Sequence, residues 1–546
     1  MNASADRFKS GDFANTTRTI DEAFTNKNAL YYLELANVQR LSGPRTIPQS
    51  NRNFLIVDRL VQNWEVNTAT TLNTSLSTLG SYLISEGLSS DYNLKPYEMT
   101  ILSQSIALNH LSQGNWNDAM VEAKKMAQRE KIIEASLDRK VAAIVEKQKE
   151  QVRNPNTQGS TYRIEAINGY PVNLLNDPEA NQLKNAYQNP SAYYLSGFIH
   201  EAQGETSLAA PSYRLAIELK PSVNFFRSSL ANLDKNVVNR NQRKDAETLF
   251  IIDTGFIPKV ESFKFNQTFI ISGYPKIITL TFPVIEPRTE MFAPTGLQVN
   301  GVNANPEMVT NISAMARRNL KDEMPAYVLR TTTRAILSLA TQLAAQRAAE
   351  KNKNNNNALA IALAGLVTGF TLDAINIADV RHWSTLPAQT YMMRMTLPSG
   401  KNTLQFSLPN GAISTQEVNL ANGYNVVYLR LFRDRATVLT SNDPNARNPV
   451  EKLPALVTGR LPAEEPVKPT ADKKTGNWLD GVMTYLNMQN NAKAEPPISG
   501  NEENQGGDKA SSAPKKVDNE GNIINPSSDS TLPPNVWDSL KQLMDK

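Results

Sequence analysis

Cysteine is absent from all 546 residues. Disulfides, thiolate nucleophiles and cysteine-ligated zinc or iron–sulfur centres are excluded with it. Histidine is scarce: His110, His200 and His382 are the only three. Their scatter argues against a histidine-rich metal centre, and no Asp-x-Asp-x-Asp-Gly loop offers calcium a carboxylate cage. A dominant charge is missing as well. The chain carries 57 Lys and Arg against 53 Asp and Glu, a net charge of +4 without a basic run. Phosphate backbones are bound by clustered positive charge, so nucleic acid is not an expected partner.

Long apolar runs are lacking too. The nearest is "ALAIALAGLVTGFTLDAINIA" (358–378), interrupted by Thr368, Thr371, Asp373 and Asn376. A bilayer span needs about 20 apolar residues, so spanning is the weakest of three readings. This run follows a second helical run across the Asn-rich loop "KNKNNNN" (351–357). The expectation is a helical hairpin that packs on its own domain or, over 334–378, against a second copy or a partner. Gly365 and Gly369, at small-xxx-small spacing, would permit the close contact. The catalytic signatures G-x-S-x-G, H-E-x-x-H, P-loop and G-x-G-x-x-G are absent. No catalytic residue, cofactor or metal is therefore expected.

What is present begins with a repeat. "NHLSQGNWNDAMVEA" (109–123) and "IHEAQGETSLAAPSY" (199–213) place Gly114 and Gly204, and likewise Ala119 and Ala209, 90 positions apart. The second copy fits the tetratricopeptide pattern of paired helices throughout. Tyr193 and Tyr213 take the aromatic places, Gly197 the close-packing place, Ala209 and Ala216 the small places, and Pro221 the terminator. Small residues let paired helices approach closely, and proline ends the second by lacking an N–H. A weaker copy surrounds Gly11. The expectation is an imperfect solenoid of six to eight helices over 1–240. Its longest helix, 116–154, either packs across its neighbours or projects as an arm.

From 245 the texture changes to β-branched and aromatic runs bounded by Gly and Pro. A small antiparallel, sandwich-like β domain of five to seven strands is expected over 245–440, with the helical hairpin inserted at 310–380. The fold class is thus α+β. Turn signals stand at Pro398–Ser399–Gly400–Lys401 and at Asn422–Gly423. The distinctive "IADVRHWSTLP" (377–387) lies between hairpin and strands. Asp379 and Arg381 can pair there, Trp383 brings apolar area, and Pro387 stops helical continuation. His382 has no second histidine or nucleophile near it in sequence. The stretch reads as a structural latch rather than a catalytic cluster.

From 441 the composition turns to Pro, Asn, Ser, Lys and Glu, which cannot bury enough apolar area to fold alone. Two islands interrupt this tail. In 477–489, Trp478 and Val482 share a helical face, as do Trp537, Leu540 and Met544 in 535–546. Each is a docking helix, a segment that folds back on the body, or an inert end.

Four stretches together resemble a family of tetratricopeptide-containing envelope proteins of Gram-negative bacteria. They are "YEMTILSQSIALNHLSQGNWNDAMVEAKKMAQRE" (97–130), "NPSAYYLSGFIHEAQGETSLAAPSYRLAIEL" (189–219), "IIDTGFIPKV" (251–260) and "DVRHWSTLPAQTY" (379–391). The resemblance covers roughly 7 to 435. It implies an exported lipoprotein, often encoded beside small outer-membrane lipoproteins that include an activator of penicillin-binding proteins. It carries location and architecture but no active site. The opening "MNASADRFKSGDFANTT" departs from that family, having neither signal peptide nor lipidation cysteine. The expectation is a periplasmic, outer-membrane-associated protein whose N-terminal lipid anchor has been lost from this chain. Its role would be a non-enzymatic scaffold holding envelope lipoproteins or assembly components. A self-assembling subunit built through 334–378 is the alternative, and a cell-wall enzyme the remotest reading.

Overall fold

Turn glycines organise the helical half. A computed structural model describes residues 2–71, 75, 76, 79, 92–153, 170–271, 274–287, 290–351 and 378–447. Gly365 and Gly369 lie outside these residues, as do Trp478, Val482, Trp537, Leu540 and Met544. The described helices before the first strand are α1 (Asn2–Ser10), α2 (Phe13–Ala23), α3 (Ala29–Ser42), α4 (Ile47–Thr71), α5 (Pro96–Ser112) and α6 (Trp116–Arg153). They continue with α7 (Pro178–Asn181), α8 (Pro190–Gln203), α9 (Thr206–Leu219), α10 (Asn224–Ala231) and α11 (Leu233–Asn239). These exceed the six to eight expected, the short α7, α10 and α11 making up the excess.

One turn geometry joins α1 to α2, α5 to α6 and α8 to α9. Gly11, Gly114 and Gly204 sit at φ +79°, +83° and +83°. In each turn the following N–H reaches back past the glycine: Asp12 to the Arg7 carbonyl, Asn115 to His110 and Glu205 to His200, at 2.8–2.9 Å. Glycine enters this left-handed conformation without Cβ strain. Ala119, Ala209 and Ala216 are buried just beyond the turns. Gly197 lies directly under the Tyr213 ring, where a Cβ would stand 2.5 Å from Cδ1. Tyr193 is buried and donates to the Glu130 carboxylate. Pro221 follows Lys220, the C-cap of α9. The long α6 buries Ala119, Met126, Arg129, Ile133 and Ala143 along its length. It packs across its neighbours.

The strands are β1 (Ala246–Thr254), β2 (Val260–Ile271), β3 (Tyr274–Ile285), β4 (Thr295–Val299), β5 (Val302–Asn303), β6 (Glu307–Asn311), β7 (Gln389–Leu397), β8 (Gly400–Ser407), β9 (Ile413–Leu420), β10 (Gly423–Leu431) and β11 (Ala436–Thr440). They form a five-stranded sheet β11-β10-β1-β7-β6, a four-stranded sheet β5-β4-β8-β9 and the hairpin β2-β3. The class is α+β with mostly antiparallel sheets, as expected, but the module is larger than the five to seven strands expected and is not wholly antiparallel. Strand β1 pairs with β10 in parallel. The physical reason is two-sided burial. β1 is buried at every residue, the pattern of a strand covered on both faces.

Along β10, Tyr424, Val426 and Tyr428 face the helices, while Val427, Leu429 and Leu431 face the four-stranded sheet. Helices, five-stranded sheet and four-stranded sheet therefore stack as three layers. Met1–Glu451 form one compact unit. The boundary expected near 240–245 is a change of secondary structure within a shared core.

The inserted region opens with α12 (Ile312–Lys351). Its start is tied down by the Ser313 N–H, which donates to the Ala388 carbonyl at 3.0 Å. The second arm of the expected hairpin, 358–378, lies outside the described residues but for Ala378. No described helix is long and apolar enough to cross a membrane. The first residues of the tail expected from 441 are held on the body, Asn442 and Asp443 donating their N–H groups to the Leu111 and Ser112 carbonyls at the end of α5, and 448–546 lie outside the described residues. These two bonds use carbonyls that a helix end leaves open, which is why 441–447 stays with the body.

Candidate functional site

The chain from Asp379 to Ala388 runs along the helical layer as a strap that turns at Ser384–Thr385 before entering β7. Three side chains from two helices hold it. On α3, Glu34 and Asn37 are one turn apart and share a face. On α5, Glu98 is the third helical residue after Lys95 and bonds back to the Lys95 N–H at 2.8 Å, the second half of a capping box.

The holding contacts are mainly to the strap's backbone. Glu98 Oε1 accepts from the Trp383 N–H at 2.9 Å. Glu34 Oε1 accepts from the Ser384 N–H at 2.6 Å and the Ser384 hydroxyl at 2.7 Å. Its Oε2 accepts from the Thr385 N–H at 3.2 Å. Asn37 Nδ2 donates to the Thr385 carbonyl at 3.0 Å and to its hydroxyl at 3.1 Å. Trp383, 0% exposed, sits edge-on to Phe54 with centroids 5.7 Å apart. Its indole N–H donates to Thr385 Oγ1 at 3.0 Å. Beyond Pro387, which is buried, the Ala388 N–H donates to the Thr254 carbonyl at 3.0 Å. Asp379 and Arg381 pair as expected: the Arg381 N–H and Nε bond Oδ1, and Nη2 bonds Oδ2 at 2.9 Å.

Burial sets the charge states. It pushes Glu34 up to about 7 against the pull of four strap donors and raises Glu98 as well. His382 is lowered by burial and stays neutral at pH 7. Its Nδ1 donates to the Val380 carbonyl at 3.2 Å. Burial also opposes the charge of Asp379, but hydrogen bonds from Arg381 and the charge of Lys95 hold its carboxyl below the usual range.

Chemically, this arrangement grips. The Glu34 oxygens and Glu98 are engaged by strap donors and by Tyr92, whose hydroxyl donates to Glu98 at 2.6 Å. Among the described residues, no group of three His, Asp or Glu could hold a metal ion.

Asp379, Arg381, His382, Trp383 and Pro387 come together here, whereas the repeat positions from Gly114 to Pro221 build the helical wall. Glu34, Asn37, Tyr92 and Glu98 escaped the sequence reading. Their signal was available: Glu34 and Asn37 interrupt the apolar helix "ALYYLELANVQRLS", and polar residues inside such a helix need buried partners. His110 and His200 also repeat the 90-residue spacing, each four positions before its turn glycine.

A second anchor joins helices to sheet. Arg394 on β7 bonds Glu201 of α8 through Nη2 at 2.6 Å and Glu247 of β1 through Nε at 2.6 Å. Tyr213 and Tyr424 donate to the same Glu201 at 2.5 and 2.9 Å. The first helices of the glycine-turn pairs therefore press against the chain's own β layers: Phe8 of α1 meets Phe432, and Phe198 of α8 meets Tyr424. Comparisons with protein-family models, curated proteins and solved structures find no match for this chain.

Proposed function

We propose that this chain is a non-enzymatic scaffold of the bacterial cell envelope, built on an imperfect tetratricopeptide-like solenoid that holds partner proteins. One observation carries the reading: three glycine turns of a single geometry, at Gly11, Gly114 and Gly204, generate successive helix pairs. The envelope location rests on the resemblance of 97–130, 189–219, 251–260 and 379–391.

Among the described residues, the outer helices are the face left for a partner. The inner faces of α3, α5 and α8 already hold the strap and the sheet. The groove lined by Glu34, Asn37 and Glu98 is occupied by the chain's own strap. Partner capture then falls to the second helices and the helices beyond them, where Val121 on α6 is 51% exposed and Val238 on α11 is 76% exposed. These two valines mark positions on the outer helices where a charge can be introduced without entering the core.

The test is capture from envelope extract by the full-length chain and by Val121→Glu and Val238→Glu. The reading expects at least one variant to lose captured partners while its melting temperature stays within a degree or so of the parent, since surface substitutions move stability little. Undiminished capture by both would remove the outer helices as the binding surface.

A further inference from the structure

The buried charge on the helix-facing side of the five-stranded sheet does not balance. Arg430 of β10 is 0% exposed, and its Nε, Nη1 and Nη2 have no hydrogen-bond acceptor among the described residues. The guanidinium lies beside two aromatic rings, 5.0 Å from the Phe256 centroid and 5.2 Å from that of Phe432, and these rings, 6.3 Å apart, stand toward one side of it. Arg40 of α3, 3% exposed, stacks on Tyr428 at 3.9 Å, and its Nε is also unpartnered.

One carboxylate is near. Asp253 stands beside Arg430 in the β1–β10 register, but its oxygens take hydrogen bonds from the Thr390 hydroxyl at 2.5 Å and the Tyr428 hydroxyl at 2.7 Å. Arg430 thus has beside it one carboxylate that is already engaged, and Arg40, stacked on the Tyr428 ring that donates to that carboxylate, adds a second buried cation. Ring stacking returns only part of what it costs to desolvate a guanidinium. The rings offer no hydrogen-bond acceptor in the guanidinium plane, so Nε, Nη1 and Nη2 all remain unpaired. A parallel pair of such donors matches two oxygens of one anion.

We propose that Arg430 and Arg40 form an internal site for one small oxyanion of the phosphate, sulfate or short-carboxylate class. Its cover is Phe8 of α1, whose ring meets Phe432 at 5.4 Å and Phe256 at 6.2 Å. The anion exchanges only when α1 lifts, so its release is slow. The site neutralises the interface between α1, α3 and the sheet and couples the docking of α1 to anion concentration.

The test uses the full chain, freed of anions by extensive dialysis into chloride. Labelled phosphate, sulfate and acetate are each offered at low-millimolar concentration, and retained label is counted after rapid desalting. Near-stoichiometric retention of at least one anion, released over minutes rather than at once, is the expected result. Retention of phosphate or sulfate but not acetate assigns a tetrahedral anion, and the reverse assigns a carboxylate. In parallel, that anion should raise the melting temperature along a saturable curve at constant ionic strength. Arg430→Gln should lose the saturable part and keep only the gradual salting-out rise common to all proteins. If that variant does not fold, Arg40→Gln carries the comparison. No retained label, or a saturable response unchanged in the variant, overturns the proposal.

Discussion

The main-chain N–H of Trp383 donates to Glu98 Oε1 at 2.9 Å across 285 residues of sequence. With Glu34 bound to the next two N–H groups, this contact makes two buried helix carboxylates the receptor for the turn of the strap. Removing either carboxylate should therefore cost more than a surface change. Glu34→Ala orphans the buried Thr385 N–H, at about 1–3 kcal/mol for a buried group, while the donors of the exposed Ser384 can turn to water. Trp383→Ala should cost about 3–5 kcal/mol through the cavity it leaves. Urea unfolding of the three proteins checks both values.

Glu34 also makes stability depend on pH. Its pKa is about 7 folded against an ordinary value of 4.5, so between these values the folded state binds the proton more tightly. The contribution is fully present below about pH 4.5 and is lost as pH rises through 7, up to roughly 3 kcal/mol for such a shift. The stability difference between the parent and Glu34→Gln, measured by denaturant from pH 5 to pH 8, should fall across that window. A flat difference would mean that Glu34 is an ordinary carboxylate.

Glycine substitutions separate backbone strain from crowding. Gly400 has φ +96° with nothing within 4 Å of a built Cβ, so Gly400→Ala should cost only the left-handed penalty of about 1–2 kcal/mol. At Gly197 the backbone carries no such strain, but the Tyr213 ring blocks a methyl group. Gly197→Ala should cost about 1–3 kcal/mol by overpacking. Tyr213→Phe, which opens no space beside Gly197, should not rescue it, whereas Tyr213→Leu should do so in part. Thermal denaturation of the single and double variants decides.

Arg394→Met tests the link between helices and sheet. It leaves Glu201, which is fully buried, and Glu247 without their main cation. Breaking a buried pair from one side costs about 3–5 kcal/mol, and the loss should show as a lower midpoint in denaturant. Adding Glu201→Gln should recover part of it.

The helical wall was legible because its signals are local. The φ of +83° at Gly114 and Gly204 needs glycine, and Ala119 and Ala209 follow at a fixed offset. Sheet partners were not legible. "TLFIID" and "NVVYLRLF" read as strands, yet nothing local states that Phe250 lies beside Val427 in parallel and beside Met393 in antiparallel register. Asn422–Gly423 was readable as a turn, but it passes the chain from the four-stranded sheet to the five-stranded one instead of closing a hairpin. At the strap, Trp383 and the Asp379–Arg381 pair stood out in the sequence. Glu34 and Glu98 belong to it only through tertiary contact.

Amide hydrogen exchange at Trp383, Ser384 and Thr385 tests the latch most directly. If Glu34 and Glu98 hold the strap, these three amides should exchange as slowly as the core of β1, through global unfolding. Glu34→Ala should speed Ser384 and Thr385 while leaving β1 protected under strongly native conditions. Exchange at the rate of an open loop in the parent protein would contradict the account.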